Sequence, residues 1–235
     1  MCALFACEDV SVWRIVYQQY WDAVEAKEKD KKRGKLLILD KWYQEELPAV
    51  ISSRSDKYVT RSELMKLMEW KLTRGKFRPR LQQLVASNSE DTVEKCSRKA
   101  FWLLPDVSAA ITELSSLKGV GPATASAVLA AGAPEEAAFM SDEAMESVPG
   151  LKPIQYTAKH YALYLEQMVE RTKQLNKGDP QQDWTPHRLE LCLWTWAVVT
   201  QLHLPLLKEV DLKGGGAGSA EKCSDQRPRK KLRTS

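Results

Sequence analysis

A turn with two glycines between two short predicted helices has the composition of a phosphate-binding site. Residues 114–129 read LSSLKGVGPATASAVL, in which Gly119 and Gly121 flank Val120. Glycine has no Cβ and tolerates positive φ, so the backbone can turn sharply and approach a ligand. Unpaired amides and the dipole at the start of the second helix favour an anion, which the amides of Gly121 and Ala123 would bind. The candidate contacts are Lys118, Gly119, Val120, Gly121 and Ala123. A helical hairpin that serves only for packing is the alternative.

A basic segment, residues 66–80, is a second candidate for contact with phosphate. Its sequence, KLMEWKLTRGKFRPR, has six basic residues and one acidic residue. The last four cations alternate with uncharged residues, so an extended backbone would direct them to one side. These four are Arg74, Lys76, Arg78 and Arg80. Concentrated charge of this kind attracts nucleic acid. The alternatives are a solvated surface, or pairing of Arg78 or Arg80 with an acidic helix.

The hairpin sequence resembles a known DNA-binding motif. Residues 114–121 follow the pattern apolar-x-x-apolar-x-Gly-apolar-Gly of the helix-hairpin-helix motif. Through it the chain is similar, over about residues 58–204, to the helix-hairpin-helix DNA glycosylase superfamily, typified by endonuclease III and the alkyladenine glycosylases. In that family a catalytic aspartate follows the hairpin, and Asp142 lies 21 residues after Gly121. The resemblance implies an all-α bundle that binds double-stranded DNA through backbone phosphates and hydrolyses an N-glycosidic bond without cofactor or metal.

Departures from the family's pattern limit the activities that the resemblance implies for this chain. Bifunctional members have a lysine nucleophile two residues after the second glycine, where this chain has Ala123, so Schiff-base chemistry at that position is excluded. The cysteine cluster of the iron–sulfur subgroup is absent, and residues 142–145 read DEAM instead of Asp-Thr-His-Val. The implied enzyme is a monofunctional glycosylase without lyase activity, or a protein that has kept DNA binding and lost the chemistry.

One carboxylate, that of Asp142, is sufficient for the implied reaction. Cleavage of an N-glycosidic bond builds positive charge on the sugar, which a carboxylate in a water-poor pocket can stabilise while it aligns or deprotonates water. Alternatively, Ser141 and Asp142 cap the short helix that follows. An extruded base also needs an aromatic partner for stacking. Aromatic residues that are candidates for this role, and also for the core, are Trp70, Trp102, Tyr156, Trp184 and Trp194.

The composition is that of a globular chain without bulk attraction to nucleic acid. The 235 residues are 43% hydrophobic and 28% charged, with a net charge of +4. Residues 221–235 hold six basic and two acidic residues, which accounts for the whole excess, so contacts with nucleic acid must be local. Five cysteines at irregular spacing predict neither a disulfide framework nor a metal site. We expect no signal peptide and no membrane span.

The end of the chain has the composition of a nuclear import signal. The segment RPRKKLR follows a glycine-rich linker at residues 214–218. Its basic residues are Arg227, Arg229, Lys230, Lys231 and Arg233. We therefore expect a nuclear protein whose tail binds an import receptor, and nonspecific tethering of DNA by the same tail is compatible with that role.

The elements that must position these residues are all predicted to be helices. Thr60 and Glu63 form a capping-box pattern, Gly75 should end that helix and Pro79 should begin the next. No segment alternates as a strand would, so the predicted class is all-α. Further helices are predicted at 10–32, from 35 to an end near Pro48, and at 92–103, 106–117, 122–131, 155–174 and 186–204. The last of these is apolar all round, as in a buried helix.

We expect a monomer with three parts. Residues 1–57 form a helical segment packed on the body, residues 58–207 form the helix-hairpin-helix domain, and residues 208–235 form a flexible linker and basic tail. The first hypothesis is a nuclear DNA-binding protein of the glycosylase type. The second is a non-enzymatic DNA-binding or protein-interaction module, in which the hairpin is a packing joint and helix 186–204 or the tail binds a protein partner.

Overall fold

The regular structure of the described chain is helical. A computed structural model describes residues 3–31 and 34–207, and no strand occurs in these ranges, which confirms the predicted all-α class. The helices are α1 (Val10–Gln18), α2 (Tyr20–Lys31), α3 (Leu36–Lys41), α4 (Leu47–Ser53), α5 (Arg61–Arg74), α6 (Pro79–Ala86), α7 (Glu90–Trp102), α8 (Val107–Leu114), α9 (Pro122–Gly132), α10 (Asp142–Ser147), α11 (Ala158–Gly178) and α12 (Pro186–Gln201). A π-helical turn, Trp42–Glu46, joins α3 to α4, and a 3₁₀ turn, Pro205–Leu207, follows α12.

The local signals around α5 and α6 act as predicted. The Thr60 side chain accepts a hydrogen bond from the Glu63 amide at 3.2 Å, and the Glu63 carboxylate accepts one from the Thr60 amide at 2.8 Å. α5 ends before Gly75, and α6 begins at Pro79. Residues 75–78 are therefore a short loop that joins the two helices.

Two predicted helices are organised differently in the structure, and others differ from it by a few residues at their ends. The segment predicted as one helix over residues 10–32 is divided into α1 and α2 at Gln19. Pro48, predicted near the end of a helix, lies in the first turn of α4. A proline is tolerated there because the amide it lacks would have no partner within the helix.

Helix α12 is buried on both faces. It contacts α1, α2, α10 and α11. One face, including Leu189 and Cys192, belongs to the main hydrophobic core, and the other, including Trp194 and Val198, belongs to a second cluster with residues of α2. This explains why the helix is apolar all round. Most of its apolar side chains are therefore inside the molecule, whereas Trp196 and Ala197 are partly exposed.

The N-terminal helices share the main core with the rest of the chain. This core includes Trp13 of α1 and Tyr43 of the π-helical turn, together with residues of α5 to α12. Tyr43 also donates a hydrogen bond to the Ala127 carbonyl in α9 at 2.8 Å. Within the described ranges, no helix combines the length and the apolar character that crossing a bilayer requires.

The hairpin formed by α8 and α9 is fixed against the end of α6. The buried Asn88 side chain donates to the carbonyl oxygens of Lys118 at 3.0 Å and Val85 at 2.9 Å, and it accepts a hydrogen bond from the Lys118 amide at 3.0 Å. Gly119 has φ +78°, and a Cβ at this position would lie 2.8 Å from the Leu84 Cβ and 3.0 Å from the Val85 nitrogen. Glycine is therefore required at residue 119 by both conformation and packing.

We expect Gly119→Ala to lower the free energy of unfolding by about 1–3 kcal/mol, because alanine would be strained at positive φ and would press on α6. Gly121→Ala is the matched control, since Gly121 has φ −106° and no atom of the described chain lies within 4 Å of an added Cβ. Its effect should stay within about 0.5 kcal/mol. Urea denaturation followed by circular dichroism measures both, and equal stabilities of the two variants would contradict the assignment.

Candidate nucleic-acid interface

One cleft of about 900 Å³ brings the three predicted features together. The glycine turn, the basic segment and the predicted carboxylate all contribute to its lining. The predicted residues that line it are Arg74, Lys76, Arg78, Gly119, Gly121, Ala123 and Asp142. The glycine turn and Asp142 thus open onto the same side of the molecule. Of the remaining candidates, Lys118 and Arg80 are exposed outside this lining, and Val120 is buried in the core.

The start of α9 offers two backbone amides at the edge of the cleft. Gly121 precedes the helix and provides no side chain to cap it, and Pro122 has no amide hydrogen. Among the described residues, no group accepts a hydrogen bond from the amide of Gly121 or of Ala123. An α-helix carries partial positive charge at this end. Unpaired amides at a helix N-terminus are groups that can bind an anion, and binding of a phosphate here stays a prediction.

Asp142 is held by two donors from different segments. Lys76 Nζ lies 2.7 Å from Oδ2, and the Tyr156 hydroxyl donates to Oδ1 at 2.6 Å. Burial raises the pKa of Asp142, but the hydrogen bonds from Lys76 and Tyr156 and the charges of Lys76 and Arg78 outweigh it, so the pKa lies below its ordinary value. Ser141 caps α10 with its own side chain. The Asp142 carboxylate is therefore ionised at neutral pH and remains at the cleft.

Arg74 does not have the exposed position that the sequence predicts. It is the last residue of α5, and its side chain is 2% exposed. Its guanidinium donates to both carboxylate oxygens of Glu190, at 2.8 and 3.2 Å, and lies 4.4 Å from the centroid of the Trp194 ring. Because residue 74 is helical and residues 79 and 80 begin α6, the four cations do not share one side of an extended strand. Of the four predicted cations, Lys76 and Arg78 are the ones that are exposed and line the cleft.

Among the aromatic candidates, Tyr156 is the residue that lines the cleft. It lies just before α11, is 40% exposed, and its ring centroid is 5.6 Å from the Arg78 guanidinium carbon. The other candidates are elsewhere: Trp70, Trp184 and Trp194 are buried, and Trp102 is exposed outside the cleft. Tyr156 thus combines a hydrogen bond to the carboxylate with a partly exposed side chain.

The sequence analysis missed the part of the cleft lined by α2 and the end of α12. Lys27 of α2 lies 4.0 Å from Glu143 and 3.5 Å from the side-chain oxygen of Gln201. Nothing local in the sequence marks these residues, because they come together from three separate helices. Lys71 of α5 also lines the cleft. It belongs to the basic segment but is not one of the four cations predicted to contact phosphate.

Comparison of the chain with protein-family models, with curated proteins and with solved structures finds no match. Within the described ranges, no group of His, Cys, Asp and Glu side chains is arranged to hold a metal ion. The predicted import signal at residues 227–233 lies outside the described residues. The geometry of the cleft is therefore the basis for a functional assignment.

We expect Lys76→Met to raise the pKa of Asp142, because the substitution removes a charge-assisted hydrogen bond to the ionised form. A carboxyl-carbon NMR titration of labelled protein measures this shift. Lys152→Met is the matched control, since Lys152 lines the same cleft but pairs with Glu146. An unchanged pKa in Lys76→Met, or an equal rise in both variants, would show that the ion pair does not form in solution.

Proposed function

We propose that the protein binds double-stranded DNA at the cleft through backbone phosphates and hydrolyses an N-glycosidic bond there, as a monofunctional glycosylase of the helix-hairpin-helix type. The observation that supports this most strongly is the shared cleft. The amides of Gly121 and Ala123, the cations Lys76 and Arg78 and the carboxylate of Asp142 all contribute to one lining. Free amides beside an ionised carboxylate support this proposal, because they would hold the strand next to the group that acts on the sugar.

The proposed DNA contacts are of two kinds. The turn offers fixed backbone donors, which would hold a phosphate in register without reading the base. Lys76 and Arg78 are exposed side chains on a short loop and add charge next to the turn. Lys118 and Arg80, outside the cleft lining, would contact the flanking backbone. The neutral body of the protein supports a footprint restricted to this region.

The proposed chemistry requires one ionised carboxylate. The lowered pKa of Asp142 suits a group that stabilises positive charge on the sugar and orients water, because the carboxylate stays charged at neutral pH. Glu143 is the next acidic residue, but it is directed to Lys27. The cleft has a volume within the usual range for small-ligand sites, about 300–1,000 Å³. A single extruded nucleoside is a ligand of that size class.

We place this activity in the nucleus on the basis of the basic segment 227–233, whose composition is typical of a segment that binds an import receptor.

We expect the affinity for duplex DNA to fall steeply with salt, with a slope of about −0.9 per neutralised phosphate. Gly121→Glu should weaken binding at least about tenfold, or roughly 1.4 kcal/mol, because it places a negative charge beside the phosphate-binding amides. The open space around Gly121 accommodates the new side chain. Fluorescence anisotropy with a labelled duplex measures both effects.

Gln167→Glu is the control, since it adds the same charge at an exposed position of α11 outside the cleft. Binding that does not depend on salt, or that is equal in wild type and Gly121→Glu, would contradict the proposed interface.

We expect Asp142→Asn to lower release of free base at least about 100-fold and to retain duplex binding, because the neutral amide no longer stabilises the charge on the sugar. Chromatography of the free bases released from a panel of duplexes with damaged bases measures this. Asp56→Asn, which changes an acidic residue paired with Arg98 outside the cleft, should release base at the wild-type rate. If wild type leaves every duplex intact while it binds them, the enzymatic part of the proposal is wrong and the DNA-binding part stands.

A further inference from the structure

Six basic residues line the cleft, and four of them are neutralised by a carboxylate of the protein. The pairs are Lys27–Glu143, Arg74–Glu190, Lys76–Asp142 and Lys152–Glu146. The other two basic residues are Lys71 and Arg78. Among the described residues, no carboxylate oxygen lies within 4.0 Å of a side-chain nitrogen of either one. The cleft therefore has two cations whose charge no carboxylate partner neutralises.

Lys71 of α5 offers its amine to the cleft. The residue is partly buried and lines the cleft, three residues before the buried Arg74. Its Nζ makes no hydrogen bond with a described residue, and it is not one of the polar atoms that are sealed from solvent without a partner. The amine is therefore accessible from the cleft and is not engaged by the described part of the protein.

The charged groups that act on Lys71 are Arg78 of the α5–α6 loop and Asp142 at the start of α10. Burial lowers the pKa of Lys71 to about 8, with a smaller lowering from Arg78 and an opposing effect of Asp142. Both oxygens of Asp142 are already engaged, one by Lys76 and the other by Tyr156. Lys71 and Arg78 thus repel each other in a partly buried site, and an anion between them would offset that repulsion.

We infer that Lys71 and Arg78 bind one phosphate of the DNA strand within the cleft, as a second anion site in addition to the α9 amides. This inference rests on the proposed function, which supplies the strand. The class of ligand is a phosphodiester, which has one negative charge and two free oxygens, one for each cation. The guanidinium donates in a fixed fork, and the ammonium group acts as a point charge. Such a site positions the backbone and does not read the base.

Phosphate bound at this site would favour the protonated form of the Lys71 amine. The contribution of Lys71 to DNA affinity should therefore be complete below about pH 8 and should be lost as the pH rises through that value. An amine with this pKa is about 90% protonated at pH 7 and about 10% protonated at pH 9. Arginine side chains and backbone amides keep their protons in this range, so pH separates Lys71 from the other proposed contacts.

The test measures the affinity of the full chain for a labelled duplex at pH 7 and pH 9 by fluorescence anisotropy, at one salt concentration. We expect wild type to bind about fivefold more weakly at pH 9. Lys71→Arg keeps its charge at both pH values, so it should bind at pH 9 about as tightly as wild type binds at pH 7. Lys71→Met has no charge, so it should bind at both pH values about as weakly as wild type at pH 9.

Lys152→Met is the control, since Lys152 lines the same cleft but is paired with Glu146, and this variant should keep the pH dependence of wild type. If wild type binds equally well at both pH values, or if Lys71→Arg still loses affinity at pH 9, the inference is overturned and the interface at the α9 amides stands. Failure of wild type to bind the duplex at either pH overturns both. Circular dichroism checks that the variants are folded, and the loss of pH dependence in either folded Lys71 variant supports the inference.

Discussion

The buried ion pair between Arg74 and Glu190 fixes the geometry of the cleft. Arg74 ends α5 immediately before the loop that carries Lys76 and Arg78, and Glu190 belongs to the central helix α12. Ser141 donates to the same Glu190 carboxylate at 2.5 Å and caps α10, at the residue before Asp142. A buried charge destabilises the fold unless an opposite charge is paired with it. Removal of one partner of such a pair typically lowers the free energy of unfolding by about 3–5 kcal/mol. The ion pair between Arg74 and Glu190 therefore holds in place both the loop with Lys76 and Arg78 and the start of α10 with Asp142.

The two glycines of the hairpin turn have separate physical roles. Gly119 allows the turn to pack on Leu84 and Val85 at the end of α6, and Asn88 reinforces that contact. Among the described residues, no atom lies within 4 Å of a Cβ added at Gly121, and Gly121 lines the cleft. Because α6 begins directly after the basic loop, the packing at Gly119 also sets the distance between the turn and the loop. Gly119 thus positions the candidate site, and Gly121 leaves it accessible.

The elements that depend on neighbouring residues were predictable from the sequence, and the contacts between distant residues were not. The capping box at Thr60, the stop at Gly75 and the start at Pro122 act within one helical turn, so the residue types alone define them. The pairing of Arg74 with Glu190 joins residues 116 positions apart, and it turned an expected surface cation into a buried one. The partners of Asp142 were not predicted for the same reason. Lys76 lies far before Asp142 in the sequence and Tyr156 lies after it.

Asp142 is the counterion of Lys76 at the mouth of the cleft. One ammonium group cannot neutralise both a carboxylate and a phosphate at full strength, so an anion bound at Lys76 would weaken the contact between Lys76 and Asp142. Linkage is reciprocal, and proton uptake by Asp142 would in turn strengthen the attraction of Lys76 for the anion. Acidity and ionic strength therefore act on a single electrostatic balance, and a strand bound as we propose would shift it by competing with Asp142 for Lys76.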